Sequence, residues 1–208
     1  MNHFFKERII NEHFFKTIFT NSPNILTKLI SDITKIPYSK LKNNIYIITN
    51  KQSITNKHDF IIKLNNNTII NKKLNTKKYK GLKNNNLSYS LNIYYNNPQY
   101  SSNFLIIQIN FNTFRDKKSN YIDVFELRNK QGTKYIDNFK IFTLDIVKCH
   151  KLYYNNPKTN NNIIKWGAFL YSKIKEKNII SILSNTLELK DLNTLEFILK
   201  DINKKETN

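Results

Sequence analysis

Two runs of β-branched and aromatic residues, His58 to Leu64 and Thr68 to Leu74, flank the tripeptide Asn65-Asn66-Asn67. Asparagine tolerates positive φ, so a tight polar turn between two strand-forming runs predicts an antiparallel β-hairpin. A third run, Ile45 to Thr49, precedes the pair and predicts another strand. Upstream the period changes. Residues 9 to 36 predict two helices joined near Pro23: Phe14, Phe15, Ile18 and Phe19 form one stripe, and Ile25, Leu26, Leu29, Ile30 and Ile33 form a second behind the expected cap Ser22. Apolar stripes of this kind need a partner surface.

Downstream, Leu82 to Tyr95 predicts a half-buried helix by its length, and Asn103 to Phe111 reads as a buried strand. Tyr121 to Leu127 and Phe139 to Val147 predict two more strands, with Gly132 in the polar connection between them. Beyond Asn155-Asn156-Pro157 the pattern is helical: Ile163 to Ile174, Ile179 to Leu183 and Leu189 to Ile202. The order helices, strands, helix, strands, helices predicts an α/β fold bordering on α+β. Residues 1–155 would form the core and 156–208 a helical C-terminal extension packed on or following it.

The chain has 34 Lys+Arg against 15 Asp+Glu, a net charge of +19 and a pI near 9.8. Such an excess makes an anion the first partner to consider, and nucleic acid the foremost anion. Part of it reflects codon usage, because Ile, Asn, Lys, Tyr and Phe have A/T-rich codons and Arg8, Arg115 and Arg128 are the only arginines. Drift toward lysine does not by itself remove acid, and acid is scarce here too. The alternative is a solvated lysine-rich surface on a non-enzymatic interaction protein.

Cys149 is the only cysteine, so an intramolecular disulfide framework and a multi-cysteine metal site are excluded. No apolar run approaches the ~20 residues needed to cross a bilayer. At the start, Lys6, Glu7 and Arg8 interrupt the apolar residues that a secretory signal would need. A cytoplasmic protein with no membrane partner is the simplest expectation; the sequence leaves homo-oligomerisation open. His13 and His150 have no partner at metal-ligand spacing, and His58 beside Asp59 belongs to the opposite face of a strand. Trp166, one helical turn from Leu170, reads as core, and Asp123, Glu126, Asp137 and Asp145 read as strand-edge and turn residues.

The remaining signal lies in the hairpin. Asp59 on its first strand and polar residues spaced by two on the second make the kind of pattern in which a metal-dependent nuclease gathers ligands. Lys72-Lys73, Lys77-Lys78 and Lys80 form a cationic cluster suited to a phosphate backbone, with Tyr79 available for stacking. A solvated loop is the alternative.

Phe14-Phe15-Lys16-Thr17-Ile18-Phe19, the Asp59 hairpin, Asn86-Leu87-Ser88-Tyr89, Ile106-Ile107-Gln108-Ile109-Asn110-Phe111-Asn112 and Leu144-Asp145-Ile146 follow one another in an order that resembles the bacterial PD-(D/E)XK nuclease family transposases. The likeness spans roughly residues 10 to 200. It implies a restriction-endonuclease-like core, a mixed sheet flanked by helices, and Mg²⁺-dependent hydrolysis of duplex DNA. In that family an Asp and a Glu on adjacent strands hold the metal, and a Lys or Gln two residues after the Glu orients water. Asp59 matches the Asp. Lys73 then stands where the Glu belongs and Asn75 takes the Lys/Gln place; two residues earlier, Asn71 would stand for the Glu and Lys73 for the lysine. Either register lacks the acid, which predicts a degenerate catalytic site unless Glu12 contributes a carboxylate from the first helix. Asn85 also stands where relatives carry Arg, removing a candidate phosphate contact. The expected protein binds DNA without cutting it; the alternative is an active Mg²⁺-dependent endonuclease using Asp59.

Overall fold

The structure, a computed structural model, describes residues 7–42, 45–48, 59–64, 69–74, 106–112, 120–134 and 139–205. The Asn65–Asn67 turn, the predicted helix Leu82 to Tyr95, His58, Asn75, the Lys77–Lys80 segment and Asp137 lie outside the described residues.

Helices α1 (Glu12–Asn21) and α2 (Pro23–Thr34) form where their apolar stripes predict. Asn11 caps α1, its side chain accepting from the His13 amide. Ser22 does not cap α2 as expected: its hydroxyl is buried and makes no hydrogen bond. Pro23 starts this helix instead, since its fixed φ and missing amide suit the first turn. Lys35 ends it in the left-handed region at φ 62°, with its amide donating to the Ser31 carbonyl. A single turn, α3 (Tyr38–Leu41), follows.

Six strands make one mixed sheet in the order β1-β2-β3-β4-β6-β5: β1 (Ile45–Ile48), β2 (Asp59–Leu64), β3 (Ile69–Leu74), β4 (Ile106–Asn112), β5 (Ile122–Phe125) and β6 (Phe139–Asp145). β1, β2 and β3 run antiparallel to their neighbours in turn; β3, β4 and β6 are parallel; β5 closes the far edge antiparallel to β6. In the connection before β6, Gly132 takes φ 86°, a value a side chain would resist, and its amide donates to the Asn129 carbonyl.

Several boundaries differ from the sequence reading, among them the predicted strand Tyr121 to Leu127, which is Ile122–Phe125. The predicted strand Phe139 to Val147 ends at Asp145, and α4 (Ile146–Asn155) begins at the next residue. The apolar run hid the change of period, while Ile146, Cys149 and Tyr153 are the buried stripe of a helix. The predicted helix Ile163 to Ile174 becomes α5 (Asn162–Tyr171), because residues beyond it pair with the N-terminal segment: the amides of Ile9 and Ile174 donate to the carbonyls of Ser172 and Glu7. Ile180–Leu183 is a short 3-10 turn, and α6 (Leu189–Lys205) closes the described chain.

One hydrophobic cluster joins α1 and α2 to α4, α5 and α6, and so draws on both sides of position 155. Trp166 and Phe169 of α5 lie at its centre, and Phe142 and Leu144 of β6 bring the sheet into it. Among the described residues no helix is long and apolar enough to cross a membrane.

Candidate functional site

The strand registers assemble residues far apart in sequence into cross-strand rows. Asp59 opens β2 and pairs with Lys73 of β3; Lys73 pairs with Asn110 of β4, Asn110 with Thr143 of β6, and Thr143 with Asp123 of β5. Two residues along, Ile61, Asn71, Gln108, Ile141 and Phe125 form a second row. Strand residues alternate between faces, so both rows belong to one face of the sheet. The intervening row, Phe60, Lys72, Ile109, Phe142 and Val124, belongs to the other face and is apolar except for Lys72. Phe142 of that row is in the helical core, whereas Ile141 and Thr143 are buried without belonging to the hydrophobic cluster.

The row that begins at Asp59 therefore carries polar residues from end to end: a carboxylate, an ammonium, an amide, a hydroxyl and a second carboxylate. It crosses β3, β4 and β6 close to their carboxyl ends, the edge at which ligands bind in open sheets with parallel strands.

Of the predicted site residues, Asp59 and Lys73 are direct register partners, and Asn71 lies two positions away in the second row. Lys72 falls on the opposite face of β3 from Lys73. Glu12 is the first residue of α1, a helix that packs against α2 and α6. Asn75, Lys77, Lys78, Tyr79 and Lys80 lie outside the described residues. Gln108 and Asn110 were not among the predicted site residues. Their signal is the alternation of polar residues in Ile106-Ile107-Gln108-Ile109-Asn110, and only the parallel register ties them to the hairpin.

A Mg²⁺ ion prefers several oxygen ligands and tolerates no neighbouring cation in their place. Along this row the residue directly opposite Asp59 is a lysine. The next carboxylate of the row, Asp123, is four strands away, ~19 Å at the usual strand spacing. Among the described residues no group of three His, Cys, Asp or Glu side chains is placed to hold a metal. Among the described residues, the donor set along this row does not fit Mg²⁺ in the manner the resemblance implies.

Two of the acids read as strand-edge and turn residues, Glu126 and Asp145, have structural partners. Glu126 accepts two hydrogen bonds from Arg128, at 3.1 Å and 2.5 Å, and pairs with Lys134 at 3.5 Å and Lys140 at 3.7 Å. The Arg128 guanidinium beside it holds its carboxyl below the usual range. Asp145, at the end of β6, is buried and caps α4 by accepting from the Lys148 amide; burial pushes its carboxyl up. Burial also pushes up the Cys149 thiol, which makes it a poor nucleophile. A cleft of about 260 Å³ is lined by Lys28, Tyr38, Thr186, Leu187, Glu188 and Asp191, none of which belongs to the sheet rows.

No protein-family model, curated protein or solved structure matches the chain.

Proposed function

We propose that this chain is a DNA-binding member of the PD-(D/E)XK nuclease family transposases, built on a restriction-endonuclease-like core, whose hydrolytic site has decayed. The observation that carries the reading is the pairing of Asp59 with Lys73 on adjacent antiparallel strands. A nuclease of this type needs two carboxylates from neighbouring strands converging on one ion, and here an ammonium-bearing residue occupies the place across from the first. The mixed sheet with helices packed against it supports the core assignment. The net charge of +19 supports DNA as the partner, since neutralising phosphates releases counterions and drives association at low salt.

Duplex-binding titrations over a range of salt concentrations, together with plasmid nicking in Mg²⁺ and in Mn²⁺, test the proposal. The expected result is affinity that falls steeply with salt and no nicking by the native chain. Nicking that disappears on Asp59→Ala would overturn the decayed site, and salt-independent or absent binding would overturn the DNA assignment. Acquisition of nicking by Lys73→Glu would identify Lys73 as the position of the missing acid.

A further inference from the structure

We infer that the exposed face of α4 and the turn 173–177 together form the surface that holds the phosphate backbone of duplex DNA. This rests on the DNA-binding reading above and names the part of the molecule that carries it out. Between Ile146 and Leu187 the chain has seven lysines and a single acid, Glu176, so this stretch is far more one-sided in charge than the chain as a whole. Lys151, Lys158, Lys173, Lys175 and Lys177 are exposed, Lys148 is half-buried and Lys165 is buried.

Lys148, Lys151 and Tyr154 follow one another at intervals of three along α4, away from its buried stripe of Ile146, Cys149 and Tyr153, so their side chains are neighbours on one helix face. The Tyr154 hydroxyl donates to the Glu176 carboxylate, which also accepts from the Lys173 amide at 3.3 Å. That bond holds the turn bearing Lys175 and Lys177 against the C-terminal end of α4. The acids of this region are already engaged: Glu176 by these two donors, Glu7 by Lys173 at 3.3 Å, and Asp145 as the buried cap of α4. Among the described residues Lys151, Lys158, Lys175 and Lys177 form no ion pair, so a phosphate displaces only their counterions. On α6, by contrast, the exposed Lys190 and Lys200 are paired with Glu188 at 2.9 Å and Glu196 at 2.7 Å.

Binding of a labelled DNA duplex to the full chain, measured by fluorescence anisotropy over a range of salt concentrations, tests the inference. The triple variant Lys151→Gln, Lys175→Gln, Lys177→Gln is expected to weaken binding about tenfold or more and to reduce the slope of log affinity against log salt by about 2.7, three phosphate contacts at ~0.9 each. A control triple variant, Lys35→Gln, Lys40→Gln, Lys42→Gln, removes the same charge from exposed positions at the end of α2 and in α3, and should keep the native slope. Glu176→Gln leaves an acceptor for Tyr154 and Lys173 while removing a negative charge from the surface, and should strengthen binding severalfold.

Equal losses in the two triple variants overturn the inference, as does native affinity and slope in the first of them. Weaker binding by a folded Glu176→Gln variant overturns it as well, and this arm decides the matter should the triple variants fail to fold. Native protein that binds no duplex, whether or not it binds phosphatidylserine vesicles, instead overturns the DNA-binding reading itself.

Discussion

The indole N–H of Trp166 donates to the Asp32 carboxylate at 2.8 Å, tying the centre of α5 to the last turn of α2 across 134 positions. The other oxygen of Asp32 accepts from Lys28 at 2.7 Å and, more weakly, from Asn162 at 3.4 Å. Trp166 is fully buried, so removing the carboxylate strips its indole N–H of the acceptor the fold provides. Asp32→Ala is expected to cost about 1–3 kcal/mol, the usual penalty for a buried donor left unpaired. Asp32→Asn keeps an acceptor and should cost less. Urea denaturation of the two variants checks this, and equal losses in both would show that the indole bond contributes nothing.

Gly167 sits where α5 crosses α4. A Cβ added there would overlap the Cβ of Cys149 and lie 2.6 Å from its sulfur. Alanine gains about 1 kcal/mol of helix propensity over glycine, but overpacking a tight contact costs typically 1–3 kcal/mol, so Gly167→Ala should destabilise the protein. The same substitution should cost markedly less in a Cys149→Gly background, where the opposing atoms are gone. A double-mutant cycle by chemical denaturation measures the difference; an equal cost in both backgrounds would locate the strain elsewhere.

His150 lies between two tyrosine rings, 4.5 Å from Tyr154 and 4.9 Å from Tyr171, with the Arg8 guanidinium 3.8 Å above the Tyr171 ring. Burial lowers its pKa below the ordinary 6.5, with Glu176 opposing the shift and Arg8 adding to it. Between 6.5 and the lowered value the unfolded chain takes up a proton that the folded chain refuses. Stability from this group is therefore present above 6.5 and declines as pH falls through that window. His150→Gln should flatten the decline relative to native protein. Denaturant midpoints measured across that range check the sign, and a steeper acid decline in the variant would contradict it.

The parts legible in the sequence are those set by local spacing. The β2–β3 pairing follows from two β-branched and aromatic runs on either side of an asparagine tripeptide, and α1 and α2 follow from their stripes. The parallel pairing of β3, β4 and β6 has no local signature, because their registers depend on crossovers and on the packing of the whole sheet. Asp59 and Lys73 were accordingly visible as a candidate pair, whereas Asn110 joined them only through the β3–β4 register. The end of β6 at Asp145 was hidden for a related reason: a mainly apolar run carries the same composition whether it is buried as strand or as helix.

Asp145 marks that hidden transition. Its carboxylate caps α4 through the Lys148 amide at 3.0 Å, while its own amide donates to the Tyr121 carbonyl and secures the approach to β5. Burial is the largest influence on the carboxyl and raises its pKa above 3.8, against the opposing pull of the helix-start amides. The folded state thus keeps its proton to higher pH than the unfolded state. The stability this contributes is complete below 3.8 and is lost as pH rises through the folded-state value. Asparagine caps helices as well as aspartate does and carries no charge to bury. Asp145→Asn should therefore gain stability relative to native protein as pH rises through this window. Asp145→Ala should lose about 1 kcal/mol with the cap. Thermal unfolding of the three proteins across the acid range separates the two effects, and an Asn variant that loses ground to native as pH rises would show that the ionised carboxylate stabilises the start of α4.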